Sequence, residues 1–269
     1  MKKLLLATPL REGASSNYIQ ELMDIANRGV PGYEVQTIFI AGPSVNFARN
    51  EIAYYAVEHG FDELVQVDED LMHWGRNLPR LMSHDVDVVG GVYCKKRPGK
   101  PTWLFTPMPK VGGVQVSDNG LIECSGIATG FLRCRVEVLN KIMRDNPERQ
   151  FYAKATEQEP VSTRCDWFPM GVVGEGSHES RLRKIRELLE AGADVNQIKQ
   201  VAFDYAPPGR LLGEDYYFCA LARRSGFKVY ADLGMGVLPH IGNSAYPITQ
   251  EMVGYPKDAQ LEVPTAENI

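Results

Sequence analysis

The chain has 269 residues, 44% of them hydrophobic and 23% charged, and its 34 acidic and 29 basic residues leave a formal charge of −5. A chain of this length and apolar content buries roughly 70–75% of its unfolded surface, which excludes a disordered tail protein. The mildly acidic balance excludes an electrostatic binder of nucleic-acid polymers and a polybasic membrane-surface protein.

Taken in chain order, the opening Met1–Leu10 imitates a signal peptide, with two lysines followed by leucines. Its apolar core is only Leu4–Ala7, below the roughly 7–15 residues such a leader needs, so Lys3–Ala7 is read as a first strand. No apolar run approaches the ~20 residues of a membrane span, and the expected location is cytoplasmic. Five cysteines (Cys94, Cys124, Cys134, Cys165 and Cys219) stand far apart with no Cys-x-x-Cys, the usage of free thiols in a reducing compartment.

Ser15, Ser16 and Asn17 offer N-caps for a helix carrying Ile19, Leu22, Met23 and Ala26 at helical spacing. Gly29, Pro31 and Gly32 stop it, and the β-branched run Glu34–Ile40 predicts a second strand. Ser44 opens a second helix through Ala48, Ile52, Tyr55 and Ala56, ending near Gly60. Strands are expected at Glu63–Val67 and Val86–Val89, with a short helix near Leu78–Met82 between them. Strands alternating with helices predict a parallel sheet covered on both faces.

A Gly- and Pro-rich middle follows, with short strands expected at Trp103–Thr106 and Val114–Val116, and Ile127–Phe131 leading into a helix around Val136–Met143. A charged amphipathic helix or helix pair is expected between Ser180 and Gln200. Leu188–Asn196 copies the end of an ankyrin repeat, but no second copy stands at the required period of about 33 residues, so it reads as a helix ending at Gly192. A helix from Glu214 to Arg224, closed by Gly226, precedes a strand at Phe227–Ala231, and the tail after Tyr246 reads as irregular.

Three motifs carry chemistry. Asp68-Glu69-Asp70 follows directly on the third strand, outside the carboxyl end, where open parallel sheets bind ligands. Successive acids repel unless a cation neutralises them, and Mg²⁺ or Mn²⁺ takes carboxylate oxygens together with substrate phosphates. The competing reading is a solvated acidic turn. Glu214-Asp215 opens a helix, where acids suit the helix dipole by about 0.3–1 kcal/mol each with no further role, or where one carboxylate serves as a general base. His240, beyond the last strand, suits Mn²⁺ as well as a structural hydrogen bond.

In that order, the three motifs resemble those of a GT-A nucleotide-sugar glycosyltransferase, of the glycosyltransferase 2-like type that carries an Asp-x-Asp motif. Thr8-Pro9, Asn46–Asn50, Val89–Tyr93 and Ala128–Leu132 add to the likeness, which spans about residues 3 to 245. The resemblance implies an α/β fold: a Rossmann-like α/β/α sandwich with a mostly parallel central sheet and a small antiparallel portion. It implies one catalytic domain over residues 1–246, a helical insertion at 175–210 and an irregular tail at 247–269. Asp70 and His240 are then metal ligands, and Asp68 binds the donor ribose or shares the metal. Thr8, Pro9 and Arg11 line the nucleotide pocket with Glu69, and Arg49 reaches the base or diphosphate. Asp215 is the base, with Glu214 as its alternative, and Thr129, Gly130 and Trp167 border the donor-sugar and acceptor pocket.

The implied reaction is metal-dependent transfer, using Mn²⁺ or Mg²⁺, from a nucleoside-diphosphate-sugar (a UDP-sugar favoured) to a glycan or other hydroxyl acceptor with inversion. Homo-oligomerisation stays open. Two alternatives stand beside it: a nucleotidyltransferase making a nucleotide-sugar, and a catalytically silent sugar-nucleotide or glycan-binding protein. The first usually carries a Gly-rich basic loop after the first strand, whereas this chain has Thr8-Pro9-Leu10-Arg11-Glu12-Gly13.

Overall fold

The computed structural model describes residues 1–11, 13–96, 102–108, 113–153, 161–173, 178–198, 210–241 and 245–246. The amino-terminal half alternates as the periodicities require: β1 (Lys2–Leu10), α1 (Ser16–Arg28), β2 (Tyr33–Ala41), α2 (Val45–Glu58), β3 (Glu63–Val67), α3 (Trp74–Ser83) and β4 (Val88–Tyr93). There follow β5 (Phe105–Pro107), β6 (Leu121–Ile127), β7 (Phe131–Arg135), α4 (Val136–Asp145), β8 (Gln150–Ala153), β9 (Ser162–Cys165), β10 (Gly171–Val173) and α5 (His178–Glu190). The chain closes on β11 (Arg210–Leu212), α6 (Glu214–Arg224), β12 (Val229–Leu238), β13 (His240–Ile241) and β14 (Ala245–Tyr246).

One eight-stranded sheet runs β2-β1-β3-β7-β4-β12-β6-β5. β1 pairs in parallel with β2 and β3, and β12 with β4, while β7 runs antiparallel between β3 and β4 and β6 antiparallel between β12 and β5. Six strands therefore share a direction and two oppose it. Alternation along β1 splits the core in two: Leu5 and Ala7 join Ile52, Ala53, Leu139 and Phe218 on one face, and Leu4 and Leu6 join Tyr18, Trp74 and Leu78 on the other. Each leucine fully withdrawn from water there contributes about 1.5–3 kcal/mol. The result is the expected α/β/α sandwich, and its polar loops gather where the parallel strands end.

The sequence reading needs correction at several strands. β4 runs Val88–Tyr93 instead of Val86–Val89, because Gly90 and Gly91 continue it. A Cβ at Gly91 would lie 2.6 Å from the Phe131 ring, so a neighbour's side chain fills the space the glycine leaves. β7 was unforeseen: residues 131–135 form a strand between the turn at 128–130 and α4. Residues 114–116 contribute only an isolated bridge from Val116 to Ile122, and Trp103 only a bridge to Cys94. β12 begins at Val229 and continues to Leu238, with its register on β4 shifting between Asp232 and Val237. The two-stranded antiparallel pairs β8–β9, β10–β11 and β13–β14 are further differences from that reading.

The ankyrin-like segment does what its glycine dictates. α5 stops at Glu190, Gly192 takes φ +70°, and the N–H of Ala193 returns to the carbonyl of Leu188. Residues 175–177 and 199–209 of the expected insertion at 175–210, and the whole tail at 247–269, lie outside the described residues. All five cysteines are free thiols, and no helix among the described residues is long and apolar enough to cross a membrane.

Candidate active site

The three motifs meet at the carboxyl edge of the sheet. The loop after β3 is held by backbone bonds: Asp68 N–H donates to the Gly130 carbonyl (2.8 Å), Met72 N–H to the Pro239 carbonyl (3.0 Å), and Leu71 bridges to His240. Beyond it, Glu21 of α1 caps α3, its two carboxylate oxygens accepting N–H groups of His73 (2.5 Å) and Gly75 (2.6 Å). His73 adopts φ +64°, the one non-glycine positive φ among the described residues, so the loop enters α3 through a left-handed turn.

Asp70 and His240 form the first half of the site. His240 Nδ1 lies 3.0 Å from the Cys94 carbonyl, and Nε2 lies 3.1 Å from Asp70 Oδ1. A carbonyl only accepts, so Nδ1 carries the proton and Nε2 turns to the carboxylate. Two acceptors face each other unless a second imidazole proton or a cation lies between them. Donors about 2.1 Å from an octahedral ion, at right angles to one another, stand about 3.0 Å apart. The pair therefore fits a divalent ion as two of its ligands. Lys96 places an ammonium on Asp70 Oδ2, a monovalent cation at that carboxylate. Burial pushes the Asp70 carboxyl up, but the bonds from His240 and Lys96 outweigh it and hold it below its usual range.

Asp68 and Arg49 occupy the centre. Arg49 is only 2% exposed and donates through Nη1 to Gln66 Oε1 (3.0 Å) and through Nη2 to Asp68 Oδ1 (2.9 Å). Its Nε lies 3.9 Å from both Glu214 Oε1 and Asp215 Oδ1, within ion-pair range but without a hydrogen bond. Three carboxylates thus share one buried guanidinium. Burial raises the Asp68 carboxyl above its ordinary value, Arg49 opposes the rise, and Asp215 and Asp70 add to it. Glu214 is likewise raised, by burial and then by Asp215, against Arg49.

The second half of the site is the first turn of α6. Asp215 accepts a hydrogen bond from the Thr129 hydroxyl, and Thr129 is fully buried. Gly130, next in the chain, donates its N–H to the Tyr93 hydroxyl (2.7 Å). A Cβ at Gly130 would lie 2.3 Å from that hydroxyl and 2.6 Å from Asp68 Oδ2, so only glycine lets the floor approach both. Burial holds the Tyr93 phenol well above its ordinary value, so it stays protonated.

The structure thus brings together Asp68, Asp70, Thr129, Gly130, Glu214, Asp215 and His240. It places five expected residues elsewhere than the resemblance implies. Arg49 turns inward as a counter-ion and does not reach out to a base or diphosphate. Asp68 is taken up by Arg49, and among the described residues no cluster of three or more His, Cys, Asp or Glu forms. The Thr8 hydroxyl bonds to Tyr18 beneath the surface, and Pro9 is buried beside it in β1. Trp167 lies in the core, 1% exposed, its indole N–H donating to the Leu139 carbonyl (2.9 Å). Arg11 is exposed at the end of β1, with its N–H on Glu69 Oε2 (3.1 Å).

Sequence reading missed Tyr93, Lys96 and the Cys94 carbonyl. The basic run Lys95-Lys96-Arg97 directly beyond an apolar strand was the available signal in the sequence.

No family model matches the sequence, and no curated protein matches it. Among solved structures, the chain is similar to A197 from STIV, at 14% identity and TM-score 0.45, over 90% of this chain and 87% of that one. It is also similar to a mannose-1-phosphate geranyltransferase from Thermus thermophilus, at 11% identity and TM-score 0.42, over 86% and 74% of the two chains. A glycosyltransferase involved in glycosylation of the major capsid of PBCV-1 aligns at 11% identity and TM-score 0.29, over 55% and 68%. Likenesses this distant leave the chemistry to be argued from the chain's own residues.

Proposed function

We propose that the protein is a transferase that moves a sugar from a nucleoside-diphosphate-sugar, a UDP-sugar favoured, to a hydroxyl of a glycan or other acceptor. The observation that carries the reading is the Asp70–His240 pair, with its 3.1 Å separation and its fixed imidazole, set at the same sheet edge as the Glu214–Asp215 pair. One half offers two donors for a hard divalent ion, Mn²⁺ or Mg²⁺, whose remaining ligands come from phosphate and water. The other offers a base held in place by a neighbouring hydroxyl. A bound ion would supply positive charge against the charge that develops on a diphosphate leaving group.

The chain's own residues then divide the work. Thr129 occupies Asp215 Oδ1 and fixes the carboxylate, leaving Oδ2 to take the proton of the acceptor hydroxyl. Gly130 lets the Asp68 carboxylate and the Tyr93 hydroxyl close on the floor of the site, and Tyr93 holds that backbone in place. Arg49 supplies a buried positive charge to the central acids and opposes the effect of burial on Asp68 and Glu214, without touching substrate. A base on the face opposite the diphosphate gives inversion at the anomeric carbon. The test is a screen of UDP-, GDP- and dTDP-sugars with Mn²⁺, reading release of free nucleoside diphosphate. Turnover that needs both a sugar nucleotide and the metal supports the reading, and no turnover or binding of any donor overturns it.

A further inference from the structure

We infer that Lys96 is a donor-diphosphate ligand, held on Asp70 until substrate arrives, an inference that rests on the transferase reading above. The other buried charge clusters of the described residues are satisfied internally. Asp232, fully buried, accepts from Arg80 (2.8 and 2.9 Å), from the Gly234 N–H (2.8 Å) and lies 2.6 Å from His84 Nε2; Arg133 pairs with Glu63 (2.9 Å) and donates to the carbonyls of His84 and Val86 (2.7 Å each). Lys96 differs from both. Its side chain is one-third exposed, and its ammonium rests on Asp70 Oδ2.

Its backbone is anchored where it needs to be. Lys95 N–H donates to the Thr102 carbonyl (2.9 Å), Cys94 bridges to Trp103, and the Cys94 carbonyl holds His240. Lys96 therefore enters the site on the segment that orients its imidazole. Asp70 cannot give full charge to both an ammonium and a divalent ion. When the ion binds to Asp70 and His240, like-charge repulsion releases the ammonium, and a long flexible stem carries it to the nearest anion. In a sugar-nucleotide complex that anion is the diphosphate, whose leaving oxygens a lysine serves as a point charge. Lys96 thus competes with the metal before substrate binds and assists the diphosphate afterwards.

The two roles have opposite signs, which separates them from a structural one. Calorimetric titration of the full chain with Mn²⁺ alone, and then with UDP at saturating Mn²⁺, reads both. For Lys96→Ala, Mn²⁺ affinity should rise about twofold to fivefold, the weight of one partly exposed ion pair, and UDP affinity should fall about tenfold, the weight of a charge-assisted bond. Lys96→Arg should keep UDP affinity within about threefold, since it retains the charge. Wild-type protein that binds Mn²⁺ and UDP, with Lys96→Ala unchanged in both or weakened for Mn²⁺, overturns this inference alone. Wild-type protein that binds neither overturns the transferase reading and this inference with it.

Discussion

Replacing Arg49 by Met separates an internal counter-ion from a substrate contact. Arg49 is 2% exposed and supplies the hydrogen-bonded charge partner of Asp68, whose side chain keeps about a quarter (24%) of its surface in water. Removing one partner of a buried pair costs about 3–5 kcal/mol; the partial exposure of Asp68 places this substitution near about 3 kcal/mol. For a chain of this size each kcal/mol moves Tm by about 2–4 °C, so the expected loss is about 6–12 °C by scanning calorimetry. The deficit should depend on pH. The Asp68 carboxyl is raised by burial and restrained by Arg49, so in the variant its folded pKa rises further above the unfolded value. Below the unfolded value both states are protonated and the charge penalty vanishes; as pH climbs through the raised folded value the penalty grows. The gap between wild type and variant should therefore be smaller near pH 4 than near pH 8. A Tm change under 2 °C, or a gap independent of pH, refutes the assignment and returns Arg49 to the base- or diphosphate-binding role implied by the resemblance.

Asp215→Asn should lower transfer about 10²–10⁴-fold while leaving UDP affinity within about twofold, because it removes a base and keeps the shape; initial rates and calorimetry on the same protein check both, and undiminished transfer assigns the base elsewhere. Gly130→Ala should destabilise the protein by about 1–3 kcal/mol, since the new methyl meets the Tyr93 hydroxyl at 2.3 Å and Asp68 Oδ2 at 2.6 Å. Urea denaturation measures it, and wild-type stability with wild-type turnover would show that the floor is not so tight.

Much of the site was legible because Asp68, Asp70 and His240 sit where apolar strands end. Asp68 and Asp70 follow β3 by one and three residues, and His240 follows β12 by two, so strand position alone brought them to one edge. What sequence could not carry was direction. Nothing in Asn46–Asn50 distinguishes an arginine reaching into solvent from one folded back on Gln66 and Asp68; that depends on α2 lying against β1 and β3. Trp167 looked like a pocket aromatic, but burial of its ring in the core behind α4 decides otherwise. β7 escaped notice because it is an antiparallel insertion between two parallel strands, a pairing set by the tight turn at 128–130 and not by local propensity. Gly90 and Gly91 weaken strand propensity, which hides the carboxyl half of Val88–Tyr93 in the sequence, and only the opposing Phe131, Ile127 and Leu238 side chains show why glycine stands there.

In the proposed function, Asp70 and His240 together hold a divalent ion that brings a nucleoside diphosphate to the sheet edge. Equilibrium binding of UDP measured with Mn²⁺ and with EDTA, on wild type and Asp70→Ala, tests it most directly. The account predicts wild-type binding that requires Mn²⁺ and falls at least about tenfold in the variant, the order of loss when a metal-binding position is disturbed. Binding of equal strength in EDTA, or an Asp70→Ala protein that binds UDP and Mn²⁺ as wild type does, would contradict it.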